Sequence, residues 1–173
     1  MAMSRTSGGT IEIKYLLLGG GLLGAIVLAL HRSGVGGSIV RLSKNFLLSE
    51  FQKIYRLGGV KQGHVPASLM PNLRVLVADL QKIRDRVGRS VTIVSGYRDL
   101  YKNTLAEGAP KSRHLFADAA DFRVSGMTAT QVKEVVEDMI RRGEIRNGGV
   151  GLYTRANGWI HYDHGPARRW VEV

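Results

Sequence analysis

Residues 15–30, YLLLGGGLLGAIVLAL, run for sixteen positions without a charge and divide the chain in two. Lys14 and Arg32 bracket the stretch. As a helix it would span roughly 24 Å at about 1.5 Å per residue, short of a hydrocarbon core of about 30 Å. Snorkelling by the flanking cations and local thinning of the bilayer would close that gap. Three consecutive glycines weaken a helix in water but are tolerated in membrane helices. The stretch therefore reads as an uncleaved N-terminal apolar helix that anchors the chain. A cleaved signal peptide shares the charged start, but no A-x-A-like site follows Leu30, where the sequence runs HRSGVGGS. A buried hairpin or a helix packed against virion subunits is the third alternative. Basic residues flank both sides about equally, so charge does not set an orientation. Gly34, Gly36, Gly37 and Ser38 make residues 33–44 a flexible linker.

Beyond residue 44 the composition becomes that of one packed domain, residues 45–173, which hold twenty Lys/Arg against thirteen Asp/Glu. With the first 44 residues included the formal net charge is +11, a field that favours a polyanionic neighbour such as nucleic acid, anionic lipid or an acidic cell-wall polymer. The chain has no cysteine, which removes disulfide scaffolds, thiolate zinc fingers, iron–sulfur clusters and cysteine nucleophiles. Aromatic residues are only 7%, which argues against a base-stacking single-strand binder.

Leu69, Leu73, Leu76, Leu80, Ile83 and Val87 recur at helical spacing, with Ser68 and Pro71 at one end and Gly88 at the other. Thr128 and Gln131 form a capping-box pattern ahead of Val132, Val135, Val136, Met139 and Ile140, and Gly143 closes that helix. Val91–Ser95 and Ala119–Val124 read as strands. Val150–Tyr153 and Trp159–Asp163 flank Asn157-Gly158, a strong hairpin signal. The fold class is α+β, with helices packed on a small, mainly antiparallel sheet.

Of five histidines, His31 and His64 read as solvated loop residues, leaving His114, His161 and His164. His114 precedes Asp121 by seven residues in SRHLFADAAD, and His161 lies on the hairpin strand in WIHYDHG. Two imidazoles and one carboxylate make a three-ligand zinc set with a fourth position free for water. Strand alternation puts Asp163 on the face of His161, where it would act as base or orient the ligands. Tyr162 and His164 face the other way, so His164 would need a bulge to join the site. Scattered polar residues on a half-exposed sheet would give the same spacing.

The order of four motifs narrows the choice. Ser112-x-His114-x-x-Ala117-x-Ala119-x-Asp121 resembles the S-x-H-x-x-G-x-A-x-D motif of the zinc D-Ala-D-Ala carboxypeptidase and murein peptidase family, which shares its fold with the hedgehog signalling domain. Ser95-Gly96-Tyr97-Arg98 with Asn103 is similar to its S-G-Y-R segment. Gly148–Tyr153, Trp159–Asp163, Gly165-Pro166 and Arg169-Trp170 resemble its C-terminal hairpin. Asn45-Phe46 with Ser49-Glu50-Phe51 looks like the domain start in its small, peptidoglycan-directed branch, so the resemblance covers residues 45–173.

The resemblance implies zinc bound by His114, Asp121 and His161, with Arg98, Ser112 and Tyr97 on the substrate side. Two departures stand out. The motif's glycine is Ala117, and the position three before the last histidine, an acid in several branches, is Gly158. Asp163 is then the expected catalytic carboxylate. The implied activity is zinc-dependent hydrolysis of peptidoglycan stem-peptide amides, of carboxypeptidase or endopeptidase type. The implied location is membrane-anchored facing the cell wall or periplasm, or virion-associated as in a phage murein hydrolase. The alternative is a non-catalytic wall-binding or virion structural module that keeps the fold. A nucleic-acid-binding role is not expected, because no recognised motif for one is present.

Overall fold

The computed structural model describes residues 39–155 and 157–173. The expected apolar helix over residues 15–30 lies outside them. No helix among the described residues is long and apolar enough to cross a membrane. The elements run α1 (Leu48–Phe51), β1 (Tyr55–Leu57), β2 (Val60–Gln62), a 3-10 turn (Ala67–Leu69), α2 (Met70–Val87), β3 (Val91–Ser95) and α3 (Leu100–Leu105). A second 3-10 turn (Arg113–Phe116) follows, then β4 (Ala119–Val124), α4 (Ala129–Arg141), β5 (Gly149–Tyr153), β6 (Trp159–Asp163) and β7 (Arg168–Glu172).

Helix α2 buries Leu73, Leu76, Leu80 and Ile83 of the stripe that its spacing predicts, with Val77 beside them and Leu69 and Val87 half-buried at its ends. It ends on Gly88 in the left-handed region, whose amide donates to the Arg84 carbonyl. Its start differs from expectation. Ser68 sits inside the preceding 3-10 turn and caps nothing, and the helix begins at Met70 with Pro71 in its first turn. Helix α4 carries the expected capping box: the Gln131 amide donates to Thr128 Oγ1 at 3.2 Å, and the Thr128 amide donates to Gln131 Oε1 at 2.9 Å.

Five strands form one sheet in the order β3-β4-β6-β5-β7, antiparallel except where β7 runs parallel to β5. The α+β class and the mainly antiparallel sheet stand as expected. The two sheet faces have different roles. Ala120, Phe122, Val124, Val150, Leu152, Ile160 and Tyr162 join α2 and α4 in the core. Each large side chain buried there contributes about 1.5–3 kcal/mol relative to exposure. His164, just past β6, turns to this side. Its Nε2 lies 3.1 Å from Asp79 Oδ2, and the same oxygen accepts from Tyr162 Oη and the Arg146 amide, each at 3.1 Å. Burial opposes ionisation of Asp79, yet these donors and Lys82 hold its carboxyl below the usual range. The opposite face carries Asp121, His161 and Asp163 in register: Asp121 pairs with His161 across β4 and β6, and Ser95 pairs with Asp121 across β3 and β4.

Candidate metal centre and adjoining cleft

His114 reaches the sheet from the second 3-10 turn, which ends on Ala117 in the left-handed region at φ 54°. That conformation explains why a glycine suits the motif at this position. An alanine there costs about 1–2 kcal/mol in backbone strain, partly offset by burial of its methyl, about 0.8 kcal/mol, since Ala117 is fully enclosed.

His114, Asp121 and His161 are all buried, and their ligand atoms lie within 4.8 Å of one another. His161 Nδ1 is 2.8 Å from Asp121 Oδ1, and His114 Nε2 is 3.2 Å from His161 Nδ1 and 3.3 Å from Asp121 Oδ1. The surrounding groups fix which ring nitrogens face inward. The Gly96 carbonyl, 2.6 Å from His114 Nδ1, can only accept, so Nδ1 carries the hydrogen and Nε2 keeps its lone pair. Asp163 Oδ2, 2.8 Å from His161 Nε2, holds that nitrogen protonated and turns Nδ1 inward. Two inward imidazole nitrogens and one inward carboxylate oxygen, each buttressed from behind, fit zinc in number and chemistry.

The charges are mutually reinforcing. Burial disfavours the Asp121 carboxylate, but as long as no metal takes up their inner nitrogens the facing His114 and His161 rings act as proton donors to it, outweigh the burial and hold its pKa below the usual range. Burial likewise pulls His161 down, while Asp121 and Asp163 together raise it above the ordinary imidazole value. Asp163 is lowered to about 2: burial works against it, and His161, the Gly165 amide and Arg168 overcome that.

Asp163 shares the site as strand alternation requires, and its environment is that of a support. It is wholly enclosed and accepts from Arg168 Nη2 at 2.6 Å, the Gly165 amide at 2.7 Å and the Gly149 amide at 3.3 Å, besides facing His161. Gly158 carries no acid, and none would fit: a Cβ there would stand 2.4 Å from the Tyr153 carbonyl oxygen. Arg98 meets the ligand set from the outer side, with Nη2 2.6 Å from Asp121 Oδ2 and Nε 2.8 Å from Ser95 Oγ. The Ser112 hydroxyl forms no hydrogen bond among the described residues, and Ser112 stands half-buried just before the turn. Tyr97 packs against the core edge and donates its amide to the Phe51 carbonyl at 2.7 Å.

Several participants were not legible as such. Arg168, which clamps Asp163, carries no sequence signal, and the Ser95-Gly96-Tyr97-Arg98 segment marks Gly96 without saying that its carbonyl orients His114. Trp170 lies against the His161 ring at a centroid distance of 5.2 Å. It reaches there across Gly151, where a Cβ would stand 2.4 Å from the indole. The alternation Gly149-Val150-Gly151-Leu152 was a readable signal for one open and one packed face.

Beside the triad a cleft of about 300 Å³ is lined by Ser95, Gly96, Tyr97 and Arg98 together with Lys53 and Lys102. Neither this cleft nor a larger hollow of about 470 Å³, lined by Arg123, Thr128 and Trp159, has a triad residue in its lining. The smaller one adjoins the triad through Gly96, whose carbonyl meets His114, and Arg98, which bonds Asp121.

A sheet face that gathers two imidazoles and a carboxylate beside an open cleft is the frame of a metal-dependent hydrolase. The chain belongs to the Peptidase M15 family, whose model matches residues 44–163, a span that contains the whole triad. The family's members are zinc-dependent metallopeptidases. No curated protein matches the chain.

Proposed function

We propose that this chain is a zinc peptidase that hydrolyses amide bonds in the stem peptides of peptidoglycan, held at the wall by its N-terminal segment or carried in a virion. The observation that carries the reading is the convergence of His114, Asp121 and His161 within 4.8 Å, in a chain of the Peptidase M15 family. The formal charge of +11 suits an anionic wall polymer.

His114 Nε2, Asp121 Oδ1 and His161 Nδ1 would hold the ion. When bound, zinc supplies Lewis-acid polarisation of the scissile carbonyl and lowers the pKa of water. The chain's own groups do the rest. The Gly96 carbonyl and Asp163 keep the hydrogens of His114 and His161 on their outer nitrogens, so the inner lone pairs stay available. Arg98 neutralises the outer oxygen of Asp121 and stands at the cleft wall, where its guanidinium suits a carbonyl that gains negative charge. Asp163, expected to act as base, is proposed instead as a positioning residue, because all its accepting capacity is taken.

The absence of a free carboxylate at Gly158, with Asp163 enclosed, favours a second reading: a wall-binding module that keeps the fold. Mass spectrometry of fragments released from purified sacculi by the zinc-loaded full chain separates the two. New stem-peptide termini that vanish with His114→Ala are expected. Stoichiometric zinc binding with intact sacculi of several chemotypes would hand the case to the binding module.

A further inference from the structure

The cleft beside the triad has a charge arrangement that metal binding does not use. It is bounded by three cations, Lys53, Arg98 and Lys102, and two acids, Glu50 and Asp99. Both acids are occupied from within the protein. Glu50 Oε2 accepts the Leu47 amide at 2.6 Å. Asp99 caps α3 through the Lys102 amide at 2.9 Å and accepts from Tyr55 Oη at 2.6 Å. Arg98 is likewise engaged, by Asp121. The two ammonium groups are not. Neither Lys53 nor Lys102 enters an ion pair among the described residues. Lys102 Nζ instead rests 4.5 Å from the centre of the Tyr55 ring, a contact that holds the cation in place without neutralising it.

The cleft is also coupled to the triad through its wall. Gly96 turns its carbonyl to His114, and Arg98 reaches Asp121, so two residues of the cleft wall are in hydrogen-bond contact with the triad. Its walls are pinned by the Tyr97 amide on the Phe51 carbonyl and by the Tyr55–Asp99 bond, which tie the segment after α1 to the segment before α3. A pre-formed cleft that adjoins the triad and carries two ammonium groups unpaired among the described residues selects an anionic occupant.

We propose that this cleft seats a carboxylate-bearing stretch of the peptide substrate, with Lys53 and Lys102 recognising its carboxylates. The assignment deepens the peptidase reading and rests on it for the identity of the substrate as a peptide. Charge-assisted contacts of this kind are the stronger hydrogen bonds of proteins, and about tenfold in affinity is the expected scale.

The test uses the zinc-loaded full chain and two synthetic stem pentapeptides, one with free internal carboxylates and one with those groups as carboxamides. Calorimetry gives Kd and chromatography gives cleavage rates. The wild-type chain should bind the carboxylate peptide about tenfold more tightly. In Lys53→Met/Lys102→Met, with its fold checked by circular dichroism, that preference should shrink to less than twofold. Lys133→Met, which removes one positive charge away from the cleft, from an i,i+4 pair with Glu137 on α4, should retain it. A wild-type chain without preference, or a double variant that keeps it, overturns the proposal. Lysine-dependent binding without cleavage upholds the cleft and defeats the peptidase reading. Cleavage of both peptides at equal rates and affinities does the reverse, and absence of both binding and cleavage overturns both.

Discussion

Asp163 shows how a single carboxylate is assigned by its neighbours. It lies two residues from a metal-ligand histidine and on the same strand face, which is all that sequence can say of it. Enclosure, three hydrogen-bonding partners and the Arg168 pair then make it the group that sets the His161 tautomer. Asp163→Asn keeps the shape and removes the charge. Zinc affinity should fall by about 10–100-fold, the usual scale for a lost carboxylate behind a ligating histidine. Competition against a chromophoric chelator reads this directly. A change below about threefold would mean that the histidine is oriented by the backbone alone and that Asp163 has another task. The triad residues were legible because the motif spacing singles them out, and strand alternation adds Asp163 to the face of His161. The partners that complete the shell were not, because Arg168 and the Gly96 carbonyl enter through tertiary approach.

At the scale of elements, the parts read correctly were those with local, self-contained signals. These are the α4 capping box, the apolar stripe of α2 and the Asn157-Gly158 turn between β5 and β6. The parts left out are short or depend on distant partners. β1 and β2 are three residues each around Gly58-Gly59, α3 is six residues, and β7 is an edge strand with four of five residues exposed. The strand that matters most, β6, is fixed on both faces: His161 and Asp163 on the metal side, Tyr162 and then His164 tied to Asp79 of α2 on the core side. The Asp79 tie has a pH signature. Its folded pKa is depressed, so its stabilisation is complete above the unfolded carboxylate value of about 4. It is lost as pH falls below that value toward the folded one. Asp79→Asn should cost about 3 kcal/mol near neutrality, the scale for removing one partner of a buried charged network. Urea unfolding of the metal-free chain should then show a smaller loss of stability between pH 4.5 and 2.5 than wild type, as expected when one depressed carboxylate is gone. Parallel pH profiles for the two chains would remove Asp79 from the account of acid sensitivity.

Across the whole domain, the sheet separates what folds the protein from what would catalyse. The hydrophobic cluster of α2, α4 and the packed sheet face holds none of the three triad residues, and the triad adds no large apolar burial of its own. The described residues fall within one compact unit with this core at its centre. Metal binding should therefore act on stability as an ordinary ligand equilibrium and should not be required for folding, unlike a zinc finger, where the metal replaces a core. With free zinc at a hundredfold excess over Kd, linkage predicts about 2.7 kcal/mol of added stability. For a unit of this size that is about 8 °C in Tm. Thermal scans by circular dichroism, with the full chain in chelator and then in excess zinc, measure both points. A cooperative transition in chelator, raised by several degrees in zinc and unmoved by zinc in His114→Ala, is the expected pattern. Loss of the cooperative transition in chelator would show that the buried triad is part of the fold's support. The metal would then be structural, and the catalytic reading would lose the open coordination site on which it depends.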